Sequence, residues 1–232
     1  MTTGCNILIA GSSHGIGRDL AHHYAENGHF VAGFSRSDSD LVHERYRHFR
    51  ADVADAGQVQ QVFCQLLGKP PHVLIYCAGS KSNSFALLMS VKDAEEMLRI
   101  SVLGAFITTR SAVRVMKRQG FGRVIYLSSV VVPLGQAGSV IYGAGKAGLE
   151  QMAFSLSREF AKDNITFNAL GISIYRSRMT QAMSEAVVDD ARSALVKQRD
   201  MELDELVGAI DFFASDAARQ ITGQTLYFGG SR

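Results

Sequence analysis

Ser129, Tyr142 and Lys146 are the residues of this 232-residue chain whose types and spacing could do chemistry together. Tyr142 and Lys146 stand four apart, which on a helix puts both side chains on one face. Ser129 closes an apolar run, Val124 to Leu127, that reads as a buried strand. A strand end, a loop and a helix can bring a hydroxyl, a phenol and an ammonium to one point. There the phenol can give a proton to a carbonyl, the ammonium lowers the phenol's pKa by favouring phenolate, and the serine holds the substrate oxygen. A bare YxxxK is common by chance, so its meaning rests on the elements that must position it.

The first such element is Asn6 to Ala10, a short apolar run followed by Gly11-Ser12-Ser13-His14-Gly15-Ile16-Gly17 and an amphipathic stretch to about Asn27. Strand, glycine turn and helix form the context of a dinucleotide fingerprint, spaced here GxxxGxG. The glycines let the backbone turn tightly and approach a pyrophosphate, and the helix N-terminus supplies N–H donors and a favourable dipole. A second strand, His29 to Phe34, ends in Ser35-Arg36-Ser37. An acidic residue at that strand end would bind a ribose 2′-hydroxyl, and none is there. Arg36 and His14 could instead pair with a 2′-phosphate, which favours NADP(H) over NAD(H). Asp38 and Asp40 follow closely and keep NAD(H) open.

Further along, Tyr46 to Arg50 is a candidate strand with Asp52-Val53 at its C-terminal end. His72 to Tyr76 is a buried strand leading into Cys77-Ala78-Gly79, and Gly79 allows close approach of cofactor or backbone. The Ser37–Arg45 connection has room for little more than a turn of helix. Helices are expected over Gly57–Leu67, over Ser90–Gln119 with a break near Gly104, over Ser139–Lys162 and over Glu202–Ser215. Strands are expected at Ile165–Ile172 and Gln224–Phe228, and the polar Ser173–Asp200 stretch could be a flap over the site. Strands alternating with helices imply an α/β fold, a three-layer doubly wound parallel sheet of Rossmann type, in one domain over residues 1–232.

Composition narrows the partners. The chain is 47% hydrophobic and 20% charged with a net charge of +2, which argues against nucleic acid or an anionic membrane as partner. No apolar run reaches the ~18 residues of a membrane span, and the N-terminus reads as neither signal nor transit peptide. Cys5, Cys64 and Cys77 lack metal-ligand pairing, so no metal site is expected, and a reduced cytoplasm is. All three read as small buried hydrophobes.

GSSHGIG near the N-terminus, Tyr76-Cys77-Ala78-Gly79, the Ser129, Tyr142, Lys146 set and Ile221-Thr222-Gly223-Gln224-Thr225 together resemble the short-chain dehydrogenase/reductase family along essentially the whole chain. Within it the chain looks most like 3-oxoacyl-[acyl-carrier-protein] reductases, whose spacing from Ala78 to Gly104, Leu87-Leu88-Met89 included, it matches without a gap. The resemblance implies Tyr142 as proton donor, Lys146 on the nicotinamide ribose and Ser129 on the substrate carbonyl. It also implies Gly11, Ser13, His14, Gly15, Ile16 and Gly17 around pyrophosphate and adenosine, and Asp52 and Val53 beside adenine. Ala78 and Gly79 would line the ribose side, and Ile174 and Ser177 would meet the carboxamide and phosphates.

Several positions depart from the family pattern. The usual Asn-Asn-Ala-Gly begins with Tyr76-Cys77, and the usual Pro-Gly after the sixth strand reads Ile172-Ser173. Ser101 stands as the fourth catalytic residue that the resemblance implies, in place of the Asn that helps hold a helix irregularity and a water in the relay behind the lysine. Arg176 and Arg178 stand where such reductases often have acidic residues. With Arg118 and Arg123 they could attract an anionic substrate or the acidic surface of an acyl carrier protein.

The expected function is an NADPH-dependent ketoreductase acting on a small-molecule or carrier-linked ketone, a 3-oxoacyl thioester foremost. The alternatives are a sugar, polyol or secondary-alcohol dehydrogenase, and a weakly active or inactive NADP-binding subunit or sensor. The resemblance implies a homotetramer through the long helices and the last strand, or a hetero-oligomer with a paralogue.

Overall fold

The computed structural model describes residues 4–66, 68–79, 84–175 and 185–230. In chain order the elements are β1 (Asn6–Ala10), α1 (Gly15–Glu26), β2 (Phe30–Ser35), β3 (Tyr46–Arg50), α2 (Ala56–Gln65), β4 (Val73–Tyr76) and α3 (Val91–Leu98). A π-helical segment, Arg99–Gly104, joins α3 to α4 (Ala105–Gln119). Then come β5 (Gly122–Ser129), α5 (Val131–Leu134), α6 (Val140–Glu159), β6 (Ile165–Ile172), α7 (Glu185–Ser193), α8 (Leu203–Ala214) and β7 (Thr225–Tyr227).

Among the described residues, seven strands form one sheet in the order β3-β2-β1-β4-β5-β6-β7, every adjacent pair parallel. A parallel sheet needs helical crossovers, which cover both its faces, so its strands read as nearly continuous apolar runs. The pleat then divides them. Leu8, Leu74, Tyr76, Val124 and Tyr126 face the core shared with α2, α4 and α6, while Ile7, Ile9, Ile75, Ile125 and Leu127 face the core shared with α1 and α8. The strand order reverses between β1 and β4, and the crevice above that reversal, at the strands' C-terminal ends, is where such sheets take ligands.

Helix ends carry identifiable signals. The Asp55 side chain accepts from the Gln58 N–H at the start of α2, and Ser90 does the same for Asp93 in α3. Glu202 and Glu205 form a capping box on α8. At the end of α4 Gly120 takes φ +70°, and the N–H groups of Gly120 and Phe121 return to Lys117 and Met116.

The Ser37–Arg45 connection is as short as expected and contains no helix. Three expectations need correcting. The break near Gly104 is a rewinding: the helix continues, π-wound over Arg99–Gly104. A short helix, α5, directly follows Ser129, where the apolar run was read only as loop. Cys64 is exposed, because α2 buries Val59, Val62 and Phe63 and turns Cys64 to solvent. In the Ser173–Asp200 stretch α7 is described, and residues 176–184 lie outside the described residues. Among the described residues no helix is long and apolar enough to cross a membrane.

Leu74 is fully buried in β4, the central strand of the sheet, and faces the core shared with α2, α4 and α6. Leu74→Ala should cost about 2–5 kcal/mol of folding stability. Urea titration checks this, and a cost within error of zero would place β4 outside the cooperative core.

Candidate active site

The cavity above the β1/β4 reversal measures about 600 Å³. Its floor is the glycine turn. Gly11 has φ +90°, and a Cβ there would stand 2.7 Å from the Ala78 backbone. A Cβ on Gly17 would stand 2.2 Å from the Gly11 carbonyl oxygen, so the turn, the first helical turn and the β4 exit close on one another only without side chains. His14 is the N-cap of α1 in extended conformation, its side chain makes no capping bond, and the first turn carries no acidic residue. The helix's leading N–H groups therefore have no side-chain acceptor, which suits a phosphate. His14 Nδ1 is instead 2.9 Å from Ser13 Oγ.

Of the residues named from sequence, Gly11, Ser13, His14, Gly15, Ile16, Gly17, Arg36, Asp52, Val53, Ala78, Gly79, Ser129, Tyr142, Lys146 and Ile174 all line this one cavity. Ser101 does not line it; the residue is buried behind α6. Ser177, Arg176 and Arg178 lie outside the described residues. Arg123 cannot join a patch at the mouth. It is fully buried at the start of β5, donating to the carbonyls of Gly122 and Asn164. Six residues of strand separate it from Ser129, roughly 20 Å.

At the end of the cavity lined by Arg36 and Asp52, charges alternate. Arg36 pairs with Glu96 at 2.7 Å, Arg99 with Glu96 at 2.7 Å, and Arg99 with Asp52 at 2.7 Å. Burial alone would raise the Asp52 pKa, but the Arg99 hydrogen bond and the Ala54 N–H outweigh it and hold the carboxylate below its ordinary range. Asp40 pairs with Arg18 of α1 at 2.6 Å. Among the described residues neither Asp38 nor Asp40 lines the cavity.

At the other end β5 and α6 set the reacting groups. The Ser129 hydroxyl hydrogen-bonds the Tyr142 phenol and accepts from the Val131 N–H at 3.3 Å. Lys146 Nζ donates to the Leu127 carbonyl at 2.6 Å and lies 5.7 Å from the centre of the Tyr142 ring. Burial brings the Lys146 pKa down to about 8. It also raises that of Tyr142, with the Ser129 hydrogen bond opposing. Desolvation of the phenolate is the larger of these two effects.

Sequence reasoning missed the apolar wall of Val130, Val131 and Leu134, whereas Val188 and Ala191 of α7 line the cavity from within the Ser173–Asp200 stretch expected over the site. The VVVPL run was the available signal. Gln136 and Tyr175 also line the cavity, Tyr175 anchored through its hydroxyl to Asp19 of α1 at 2.8 Å. No sequence signal marks Leu127, whose contribution is a backbone oxygen.

The chain was compared with known proteins. A family model described as enoyl-(acyl carrier protein) reductase matches residues 10–230. A 3-oxoacyl-[acyl-carrier-protein] reductase, MabA, of Mycobacterium avium is 31% identical over 227 residues, spanning 97% of this chain and 88% of its own. A 3-oxoacyl-[acyl-carrier-protein] reductase, FabG, of Staphylococcus aureus is 31% identical over 235 residues, spanning 96% of each chain. A variant short-chain dehydrogenase/reductase of Serratia marcescens superposes with a TM-score of 0.87 over 98% of both chains at 24% identity, a likeness of fold. The chain belongs to the short-chain dehydrogenase/reductase family. It is an oxidoreductase acting on CH–OH/C=O groups, in a family that uses NAD(P)H.

The buried lysine gives a pH signature. Its folded-state pKa, about 8, lies below its ordinary value of 10.5, so between those values the unfolded chain holds more protons and stability rises with pH. From pH 7 to 10, wild type should gain on the order of 2–3 kcal/mol relative to Lys146→Met, measured by urea titration without nucleotide. A gap constant with pH would mean that the ammonium is not desolvated.

Proposed function

We propose that the chain is an NADPH-dependent ketoreductase that reduces a 3-oxoacyl thioester, presented by an acyl carrier protein, to the 3-hydroxyacyl form. The observation that carries this is the meeting of Ser129, Tyr142 and Lys146 in one cavity with the uncapped start of α1 and an apolar wall. NADPH, when bound, supplies the hydride. The turn from Gly11 to Gly17 would hold its pyrophosphate, Asp52 and Val53 its adenine, and Ala78, Gly79 and Lys146 its ribose side, with Ile174 and Ser177 toward the nicotinamide.

The chain's own chemistry is proton placement. Ser129 offers its hydroxyl to the ketone oxygen and orients the phenol. Tyr142, kept protonated by burial, delivers its proton to that oxygen as negative charge develops there. Lys146, charged below about pH 8, stabilises the phenolate left behind. Val130, Val131 and Leu134 exclude water and accept an aliphatic tail better than a polyhydroxylated substrate, which supports the acyl reading over the sugar or polyol one.

For the cofactor, the engagement of Asp40 by Arg18 removes one acidic competitor from the ribose. The Arg36–Glu96 pair is about half exposed, with 56% and 39% of the side chains accessible. Pairs so exposed contribute about 0–1 kcal/mol, so a bidentate 2′-phosphate can compete for Arg36. Leu103 and Phe106 before and in α4, Phe154 in α6 and Leu226 in β7 are partly exposed apolar residues, which supports association through those elements, as a tetramer. The three cysteines, all free thiols, support work in a reduced cytoplasm.

NADPH oxidation against a panel of acetoacetyl thioesters, free ketones and sugars tests the reading, with the thioesters expected to turn over fastest. Tyr142→Phe should lower kcat by about 10²–10⁴-fold with NADPH binding kept. A variant retaining wild-type turnover would rule Tyr142 out as the acid. Arg36→Ala should weaken NADPH about tenfold or more and leave NADH within about twofold, read by fluorescence titration. Equal losses for both cofactors would remove the 2′-phosphate role.

A further inference from the structure

Behind Lys146 the helix is π-wound over Arg99–Gly104. Helix irregularities have identifiable causes, among them a side chain inserted into the backbone hydrogen-bond ladder. One side chain that reaches into this segment is Tyr76, the last residue of β4. It is fully buried, and its hydroxyl donates to the Ile100 carbonyl oxygen at 2.6 Å. The phenol arrives beside Gly104. A Cβ at Gly104 would stand 2.7 Å from the Tyr76 hydroxyl and 2.6 Å from Val53 Cγ2, so the glycine is what admits it.

The next residue after Ile100 is Ser101, 3% exposed, and it rests on α6. A Cβ on Gly145 would stand 2.9 Å from Ser101 Cβ and 3.1 Å from its Oγ. Gly145 immediately precedes Lys146, whose ammonium is tied to the Leu127 carbonyl. Contacts therefore run without interruption from the Tyr76 hydroxyl through the π-segment to the backbone that carries the lysine.

We infer that Tyr76 is a positioning residue: its hydroxyl holds the π-segment against α6 and so sets the place of Lys146 relative to Tyr142. The inference rests on the proposed roles of those two residues. A buried tyrosine can also be mere core filling, and the structure contains the control. Tyr126, on the neighbouring strand β5, is equally buried and packs edge-on against Tyr76 with ring centres 6.5 Å apart. Its hydroxyl meets Thr109 Oγ1 of α4 at 2.9 Å and makes no recorded bond to the π-segment. Each Tyr→Phe change removes one buried hydroxyl, but only the Tyr76 change releases the Ile100 carbonyl. The titratable groups facing Lys146 among the described residues are Tyr142 on its own helix and Cys77 at the β4 exit, and both are left in place.

The experiment is the titration of the Lys146 side chain by carbon-13 NMR in wild type, Tyr76→Phe and Tyr126→Phe, with steady-state kinetics on the same samples. Tyr76→Phe should raise the lysine pKa by about one unit as the packing behind it loosens. It should also lower kcat about tenfold with the KM for NADPH unchanged. Tyr126→Phe should match wild type in both. An unmoved lysine titration or an unmoved kcat in Tyr76→Phe, or equal effects in Tyr126→Phe, overturns the inference. Should Tyr76→Phe fail to fold, Gly104→Ala, whose Cβ would crowd the Tyr76 hydroxyl at 2.7 Å and displace it from the Ile100 carbonyl, takes its place under the same criterion. Wild type that turns over no ketone sinks the proposed function instead, and the NMR comparison then decides the positioning role alone.

Discussion

A lysine ammonium buried at the β5–α6 end of the crevice is the constraint on which the rest of the site depends. Lys146 is 4% exposed, and desolvation of such a charge is costly unless it is hydrogen-bonded. The bond comes from the Leu127 carbonyl near the end of β5, so α6 must lie close along that strand end. Ser128, between Leu127 and Ser129, donates to Glu150 one turn beyond the lysine, and the other oxygen of Glu150 accepts from Tyr227 of β7 at 2.6 Å. Strand, helix and last strand are thus bound together beside the reacting groups. Gly143, Ala144, Gly145, Ala147 and Gly148 complete the arrangement. Glycine within a helix costs about 1 kcal/mol each, a loss offset by the close approach that Gly145 grants Ser101 and Gly148 grants Val102.

The opposite end of the crevice is governed by charge balance. Arg36, Glu96, Arg99 and Asp52 form a chain of two cations and two anions, neutral as a set. A neutral rim does not by itself attract a dianionic phosphate. What it provides is a guanidinium whose present partner is solvent-exposed and exchangeable, beside a carboxylate locked elsewhere. Asp52 is the less exposed anion and is satisfied by Arg99 and the Ala54 N–H, so it holds its place and its charge. Glu96 is shared between Arg36 and Arg99 and would retain Arg99 if Arg36 turned to a ligand, as proposed. The asymmetry between the two carboxylates is what makes Arg36 the adjustable member.

Much of this was legible in the chain. Parallel strands buried on both faces announce themselves as apolar runs, and strand positions β1 to β7 were readable to within a few residues. The glycine turn was readable because its chemistry is carried by residue type: only glycine tolerates φ +90° at position 11 with the Ala78 backbone at 2.7 Å. Fifteen residues named from sequence line the one cavity for the same reason, since turn, strand end and YxxxK helix each have local signatures. What was not legible depends on partners distant in sequence. Arg123 looked like a surface cation and is buried, because burial is decided by the α8–β7 connection and the β6 entry closing over it. Cys64 looked like a core residue and is exposed, a matter of helix phase. The π-winding at Arg99–Gly104 has no periodicity of its own to read, and Tyr76, whose hydroxyl bonds a carbonyl within it, lies 24 residues upstream of that carbonyl.

That distance bears on how the departures from the family pattern should be weighed. Read along the chain, Tyr76, Cys77 and Ser101 are separate losses, and separate losses favour an inactive cofactor-binding subunit. In the fold they are neighbours around one lysine. Cys77 is near enough to Lys146 to interact with it electrostatically, Tyr76 bonds the residue before Ser101, and Ser101 rests on the residue before Lys146. Changes accumulated after loss of function have no reason to stay in mutual contact or to leave buried polar atoms satisfied. Here the buried Tyr76 hydroxyl is satisfied, the lysine retains its acceptor, and Gly104 and Gly145 remain small where a side chain would collide. The pattern is that of a rebuilt support beneath an intact set of reacting groups, which is an argument for an enzyme.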